Sequence, residues 1–213
     1  IGSGLVGSEM CIRDRPDTGF KGQFKIFKSL APWLLIIAVI MGNGGIFCWY
    51  SYINPLLVNL SHIAQKYVSL LMILAGAGMC AGNILGGKLS DRYSPSLVAG
   101  WTQFIACISL LLIFLYASNP VVSVVLMCIC TACLFAVSAP QQLLLIKNSK
   151  GGEMLGASSS QISFNLGNAL GAFVGGIPVS NGLGYEYVAL PGVFFALIGF
   201  IVLFYFNKRY DSA

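Results

Sequence analysis

The sequence predicts an all-α membrane protein of six transmembrane helices, and three observations carry that expectation. The chain is 57% hydrophobic and 9% charged, with a mean hydropathy of +0.82, whereas a soluble domain needs about 25% charged residues. Its apolar residues gather into six stretches of the length, roughly 20 residues, that a helix needs to cross the hydrocarbon core. Lys and Arg are concentrated in alternate connections between those stretches, the pattern of the positive-inside rule. Strands are excluded, because the runs are too long and lack period-2 alternation.

Residues 6–15 (VGSEMCIRDR) resemble a translated sequencing adapter, so 1–15 are expected to be non-native and the gene to continue upstream. This also disposes of GSGLVG at 2–7, a nominal G-x-G-x-x-G match without the strand and βαβ unit that would give it meaning. Residues 16–31 are polar and basic and read as a cytoplasmic linker, leaving 32–213 as one six-helix transmembrane domain.

The spans are expected at 32–58, 67–86, 95–117, 120–145, 155–180 and 186–206. Lys21, Lys25 and Lys28 precede the first, Lys88 and Arg92 follow the second, Lys147 and Lys150 follow the fourth, and Lys208 and Arg209 follow the sixth. The opposite side carries only Lys66, so both ends are expected in the cytoplasm. The net charge of +5 is this bias; no basic run is interleaved with aromatics, and no nucleic-acid partner is expected.

The first span carries Asn43, Phe47, Tyr50 and Asn54 at i, i+4, i+7 and i+11, one helical face, before Asn54-Pro55 interrupts it. The fifth carries Gln161, Asn165 and Asn168 at i, i+4 and i+7. Amides in hydrocarbon must find partners. One reading is hydrogen bonding between helices, worth about 0.6–2 kcal/mol each; the other is a polar cavity that receives a solute. The second span repeats Gly78, Gly82 and Gly86, and the fifth Gly167, Gly171 and Gly175. Small residues at this spacing let backbones approach, and their repetition also suits surfaces that slide or rock. The third and sixth spans, rich in bulky aliphatics and aromatics, suit the lipid-facing periphery. The fourth has Ser123, Thr131 and Ser138 as its polar groups and a kink at Pro140-Gln141-Gln142.

No acid or base lies deep in a span, so this segment shows no proton relay of its own. No nucleophile–base pair, paired acids or metal set appears either, and no enzyme activity, metal or other cofactor is expected. Cys128, Cys130 and Cys133 form a suggestive run but have no His or acid nearby and read as small hydrophobes. His62 reads as a solvated loop residue.

The GGKLSDR segment at 86–92 is expected to form a glycine turn between the second and third spans. Within it Gly87, Asp91 and Arg92 fit G-x-x-x-D-R: a glycine for close approach, an acid able to accept from free N–H groups at a helix terminus, and a cation able to pair across an interface. With this loop the chain resembles the major facilitator superfamily. SYINPLL at 51–57, GNILGGKLSDR at 82–92 and QISFNLGNALGAFVGGIPVSNGLGY at 161–185 are similar to the second half of drug- and sugar-efflux permeases of the arabinose efflux permease-like group, a resemblance covering about 32–207. It implies that these are spans seven to twelve, the C-terminal half of a twelve-helix major facilitator fold. The first and fourth helices would line a central cavity, the second and fifth would meet a missing N-terminal six-helix half, and the third and sixth would face lipid.

The resemblance implies a secondary active transporter in the bacterial inner membrane that exports a small organic solute, sugar or drug-like, by alternating access with proton antiport. Coupling carboxylates would lie in the missing half. Asn43, Tyr50, Asn54, Gln161, Asn165 and Asn168 are the candidate solute-binding residues, and Gly87, Asp91 and Arg92 the candidate cytoplasmic gate. An uptake symporter on the same fold, or an autonomous six-helix protein that dimerises, remains open at this point. The segment departs from the family at Tyr93-Ser94-Pro95, where a glycine and further basic residues are common.

Overall fold

The computed structural model describes residues 24–211; the expected adapter segment 1–15 and the linker residues 16–23 lie outside the described residues. Six helices long and apolar enough to cross a membrane follow one another. We label the regular α-helices α1 (Leu30–Tyr50), α2 (Val68–Arg92), α3 (Pro95–Tyr116), α4 (Pro120–Ala136), α5 (Ser138–Lys147), α6 (Glu153–Ser180) and α7 (Ala189–Phe206). The fourth span is α4 and α5 together.

Proline chemistry sets several of these boundaries. Pro55 has no N–H and its ring crowds the carbonyl four residues back, which belongs to Ser51. The first span accordingly breaks at Ser51-Tyr52, and the chain continues through a short turn at Ile53–Pro55 and a wider one at Leu56–Leu60. Pro140 acts likewise on Ala136, the last residue of α4, and Val137 alone separates α4 from α5. Pro120 occupies the first turn of α4, where its missing N–H costs nothing. There Asn119 Oδ1 accepts from Val121 N (3.0 Å) and Val122 N (3.3 Å) as an N-cap. At the far end of α6, Gly182 takes a positive φ of 79°, letting Leu183 N reach back to Pro178 O (3.0 Å).

The GGKLSDR segment corrects the sequence expectation. Gly86 and Gly87 do not turn; α2 runs through them to Arg92, and only Tyr93-Ser94 connects it to α3. The turn was written one step later, because the residue before a proline is pushed out of the helical region, and Ser94 stands at ψ 129° before Pro95. Lys88 and Leu89 are good helix formers that carry α2 past the glycines.

In lipid, apolar burial does not drive helices together; packing contacts and polar bonds do. Both glycine stripes serve packing inside the bundle. A methyl group on Gly82 or Gly86 would overlap the backbone carbonyl of Ala132 or Ala136 on α4, and one on Gly171 or Gly175 would overlap that of Gly44 or Cys48 on α1. The middle helix of each three-span unit thus lies along the first helix of the other, α2 on α4 and α6 on α1, as in the inverted repeats of transporters. The glycine at this spacing is a demand for backbone proximity, where Cα–H···O contacts contribute about 0.5–1 kcal/mol each. Alpha1 is the most enclosed helix: its Gly44 faces α6 and its Gly45 faces α7.

Polar cross-helix bonds are fewer. Tyr52 Oη donates to Ala172 O (3.2 Å), Ser61 Oγ to Ala117 O (2.6 Å) and Gln103 Nε2 to Gly42 O (3.2 Å). Ser109, Thr131 and Ser163 instead donate to carbonyls of their own helix, four residues back. Cys130 and Cys133 are buried in α4 as free thiols. His62, exposed in the turn after the first span, has a positive φ of 53°, a conformation in which His is enriched.

Two flanks lack neighbours among the described residues. The most apolar stretches of α2 and α6 are only 17% and 22% buried, against 56% for α1 and 50% for α3. Leu70, Ile73, Ile84 and Leu85 on α2, and Ile162, Leu166, Phe173 and Ile177 on α6, stand exposed. Alpha3 and α7 pack on each other and turn a separate bulky face outward, including Trp101, Ile105, Phe194 and Phe204.

Candidate functional site

A cavity of about 380 Å³ opens between these elements. Alpha1 contributes Asn43, Phe47 and Tyr50, one face of its helix; α4 contributes Leu134 and Phe135; α5 contributes Ser138 and Gln142; α6 contributes Gln161, Phe164 and Asn168; and Met79 comes from α2. The wall therefore carries four amides and two hydroxyls among aromatic and aliphatic groups and, among the described residues, no charged one. The Phe47 and Tyr50 rings lie 5.3 Å apart, tilted at 55°.

The amides do not tie helices together. Asn43 is 1% exposed, yet neither its Nδ2 nor its Oδ1 finds a hydrogen-bond partner among the described residues, and Asn168 Oδ1 is equally bare. An unmet buried amide group costs about 1–3 kcal/mol, so bundle stability does not explain why these side chains are amides.

Of the six residues singled out in the sequence for solute binding, Asn43, Tyr50, Gln161 and Asn168 share this wall. Asn54 and Asn165 are not among its lining residues and are exposed. The i to i+11 stripe presumes one unbroken helix, and the break at Ser51-Tyr52 takes Asn54 out of register. Asn165 Nδ2 donates to Gln161 O (3.0 Å) on its own helix. Ser138 and Gln142, the polar and kink residues of the fourth span, also belong to the wall. Their signal was the Ser138 to Gln142 spacing of four, which places both on one face of α5.

The motif residues lie at the end of the bundle that gathers Lys88, Arg92, Lys147, Lys208 and Arg209. Gly87 has open space where a side chain would be, and Asp91 and Arg92 are exposed on the last turn of α2. The Arg92 guanidinium lies 5.7 Å from the centre of the Tyr93 ring. Nearby, Ser96 Oγ donates to Asn207 Oδ1 (2.7 Å), and the Ser94 and Ser96 hydroxyls both reach the Asp211 carboxylate, fastening the α2–α3 turn to the chain beyond α7.

A multi-pass helical bundle with an uncharged polar cavity walled by both of its three-span units is the architecture of half a membrane transporter. The chain belongs to the Major Facilitator Superfamily, which residues 33–213 match. It is 43% identical over 204 residues to the putative transporter AraJ of Escherichia coli (strain K12), covering 95% of this chain and 52% of that protein. It is 32% identical over 209 residues to the inner membrane transport protein YdhP of the same strain, 95% of this chain and 54% of that one. It is also 26% identical over 173 residues to a probable sugar efflux transporter of Helicobacter pylori (strain P12), 81% and 42% of the two chains. The chain thus spans about half the length of the curated relatives it matches.

Proposed function

We propose that this chain is the C-terminal half of an inner-membrane efflux permease that exports a small neutral organic solute, a sugar or similar polyol, by alternating access with proton antiport. The observation that carries the reading is the cavity wall, where bare amides stand beside aromatic rings with no charge among them. Amides can exchange hydrogen bonds with hydroxyl groups, and aromatic faces can pack on the apolar face of a sugar ring. A charged solute would leave its charge uncompensated in this wall, a cost far above the value of a few hydrogen bonds. The name of the Helicobacter pylori relative points the same way. The exposed apolar flanks of α2 and α6 would receive the other six-helix half, closing the cavity between the halves, as substrate sites in such transporters lie at the repeat interface. Both ends of this segment are then cytoplasmic, and the protonatable carboxylates belong to the other half, because no carboxylate among the described residues of this half lines the cavity.

Asp91 fits a gate on physical grounds. It sits at the C-terminal end of α2, where the helix dipole disfavours an acid by about 0.3–1 kcal/mol, so α2 gains nothing from it. A donor across the cytoplasmic interface would. In the complete transporter, Asp91→Asn is expected to reduce solute uptake into inverted vesicles several-fold while membrane abundance, read by immunoblot, stays at the wild-type level. Full transport in that variant would remove Asp91 from the gate.

A further inference from the structure

Behind the cavity wall a second pair of amides is stranded. Gln103 of α3 and Gln141 of α5 are both 0% exposed, and both press on Gly42 of α1. A methyl group there would stand 2.6 Å from Gln103 Oε1 and 3.5 Å from Gln141 Nε2. Gln103 Nε2 is satisfied by the Gly42 carbonyl at 3.2 Å. Gln103 Oε1 and both amide atoms of Gln141 have no partner among the described residues, and neither residue lines the cavity. A free acceptor and a free donor therefore face the same point of α1 from two other helices. Terminal amide torsions are broad, so rotation of these amides can bring the two together.

Alpha5 needs such an anchor. Pro140 deletes the hydrogen bond that would continue α4 into α5, leaving the single residue Val137 as a pivot. Gln141 and Gln142 are successive residues, about 100° apart around the helix: one is buried in the bundle and the other lines the cavity. Whatever fixes Gln141 therefore sets where Gln142 and Ser138 point.

We propose that Gln103 and Gln141 form an amide bridge across Gly42 and act as positioning residues, holding α5 so that Ser138 and Gln142 face the bound solute. The proposal rests on the cavity being the solute site. It explains why two large amides occupy a dry core position where leucine would pack without a polar cost, and why Gly42 has no side chain.

The test uses the complete transporter, purified for thermal unfolding and reconstituted for counterflow of labelled pentoses and hexoses, as Gln103→Leu, Gln141→Leu, the double variant and Gln142→Ala. Each single leucine variant strands the other amide and is expected to lower Tm by roughly 2–4 °C, while the double variant returns close to wild type. Each is also expected to raise KM about tenfold, near the effect of losing one hydrogen bond, with the maximal rate little changed. Additive Tm losses in the double variant would overturn the bridge, and the thermal cycle decides this without any solute. Wild-type KM in both single variants would overturn the positioning role. Gln142→Ala tests the underlying reading by itself: coupled Tm values with an unchanged KM in Gln142→Ala would count against the cavity and not against the bridge.

Discussion

Gly82→Ala is expected to cost the complete transporter much of its folded population, whereas at Gly76, six residues earlier on the same helix, no group of this half stands in the way of a methyl. Both glycines lie inside α2, and helix propensity alone favours alanine at either site by about 1 kcal/mol. Sterics decide the sign. The new methyl at Gly82 would overlap the carbonyl oxygen and Cα of Ala132, backbone that cannot rotate away, whereas nothing lies within 4 Å of one at Gly76. Overpacking of this kind costs about 1–3 kcal/mol, and α4 is pinned behind by α3, which places Gly82 at the upper end. Each kcal/mol lowers Tm by roughly 1–2 °C in a protein of about twice this length. Detergent-solubilised protein followed by fluorescence-detected size exclusion during heating reads the difference directly. A wild-type Tm for Gly82→Ala would mean that α2 and α4 do not meet at this glycine.

Asn43→Leu is expected to separate stability from transport. The Asn43 amide is buried and unpartnered, so replacing it with an apolar side chain of similar size removes a desolvation cost of about 1–3 kcal/mol. Tm therefore stays level or rises. Transport falls by about tenfold, the equivalent of one hydrogen bond to the solute. Stability gained and activity lost at one position mark a residue kept for function. A fall in Tm together with transport would instead make Asn43 a structural residue, and the cavity would lose its most buried polar group.

The spans themselves were legible because hydrocarbon thickness and the exclusion of charge fix length and composition together. Prolines then set several of the ends, and Asn119 caps one. What each helix touches was less legible. The Gly78-Gly82-Gly86 and Gly167-Gly171-Gly175 spacings announced close approach, but spacing on one helix does not name the partner, and their partners turned out to be α4 and α1 within the bundle. The Gly42-Asn43-Gly44-Gly45 run held the matching half of that information for α1: glycines on successive residues face several directions, which only a helix enclosed by neighbours requires. GGKLSDR was misread as a turn because two glycines outweighed the helix-forming residues after them, whereas Ser94-Pro95 held the boundary.

The candidate site was legible where a helix stayed whole. Asn43, Phe47 and Tyr50 share a wall because α1 is unbroken between them; Asn54 left it because the strain at Pro55 surfaces four residues upstream. Gln161 and Asn168 reach the cavity from α6, seven residues apart on one face. Ser138 and Gln142 became visible only with the break at Val137, since the kink residues and the wall residues are the same short segment. Gln103 and Gln141 carried no pattern at all. Gln103 is a lone amide in α3, Gln141 is hidden beside the neighbouring Gln142, and the relation of Gln103 to Gln141 exists only through Gly42, on a third helix.

The most direct test of the central claim, that these six helices are half of a twelve-helix transporter, is the coding DNA upstream of the Pro16 codon in its source. The account predicts an open reading frame continuing into six further apolar spans, with a second G-x-x-x-D-R loop between the second and third of them and at least one acid within a span. A start codon just ahead of Pro16 would contradict it and leave a six-helix protein whose α2 and α6 flanks await a second copy of itself.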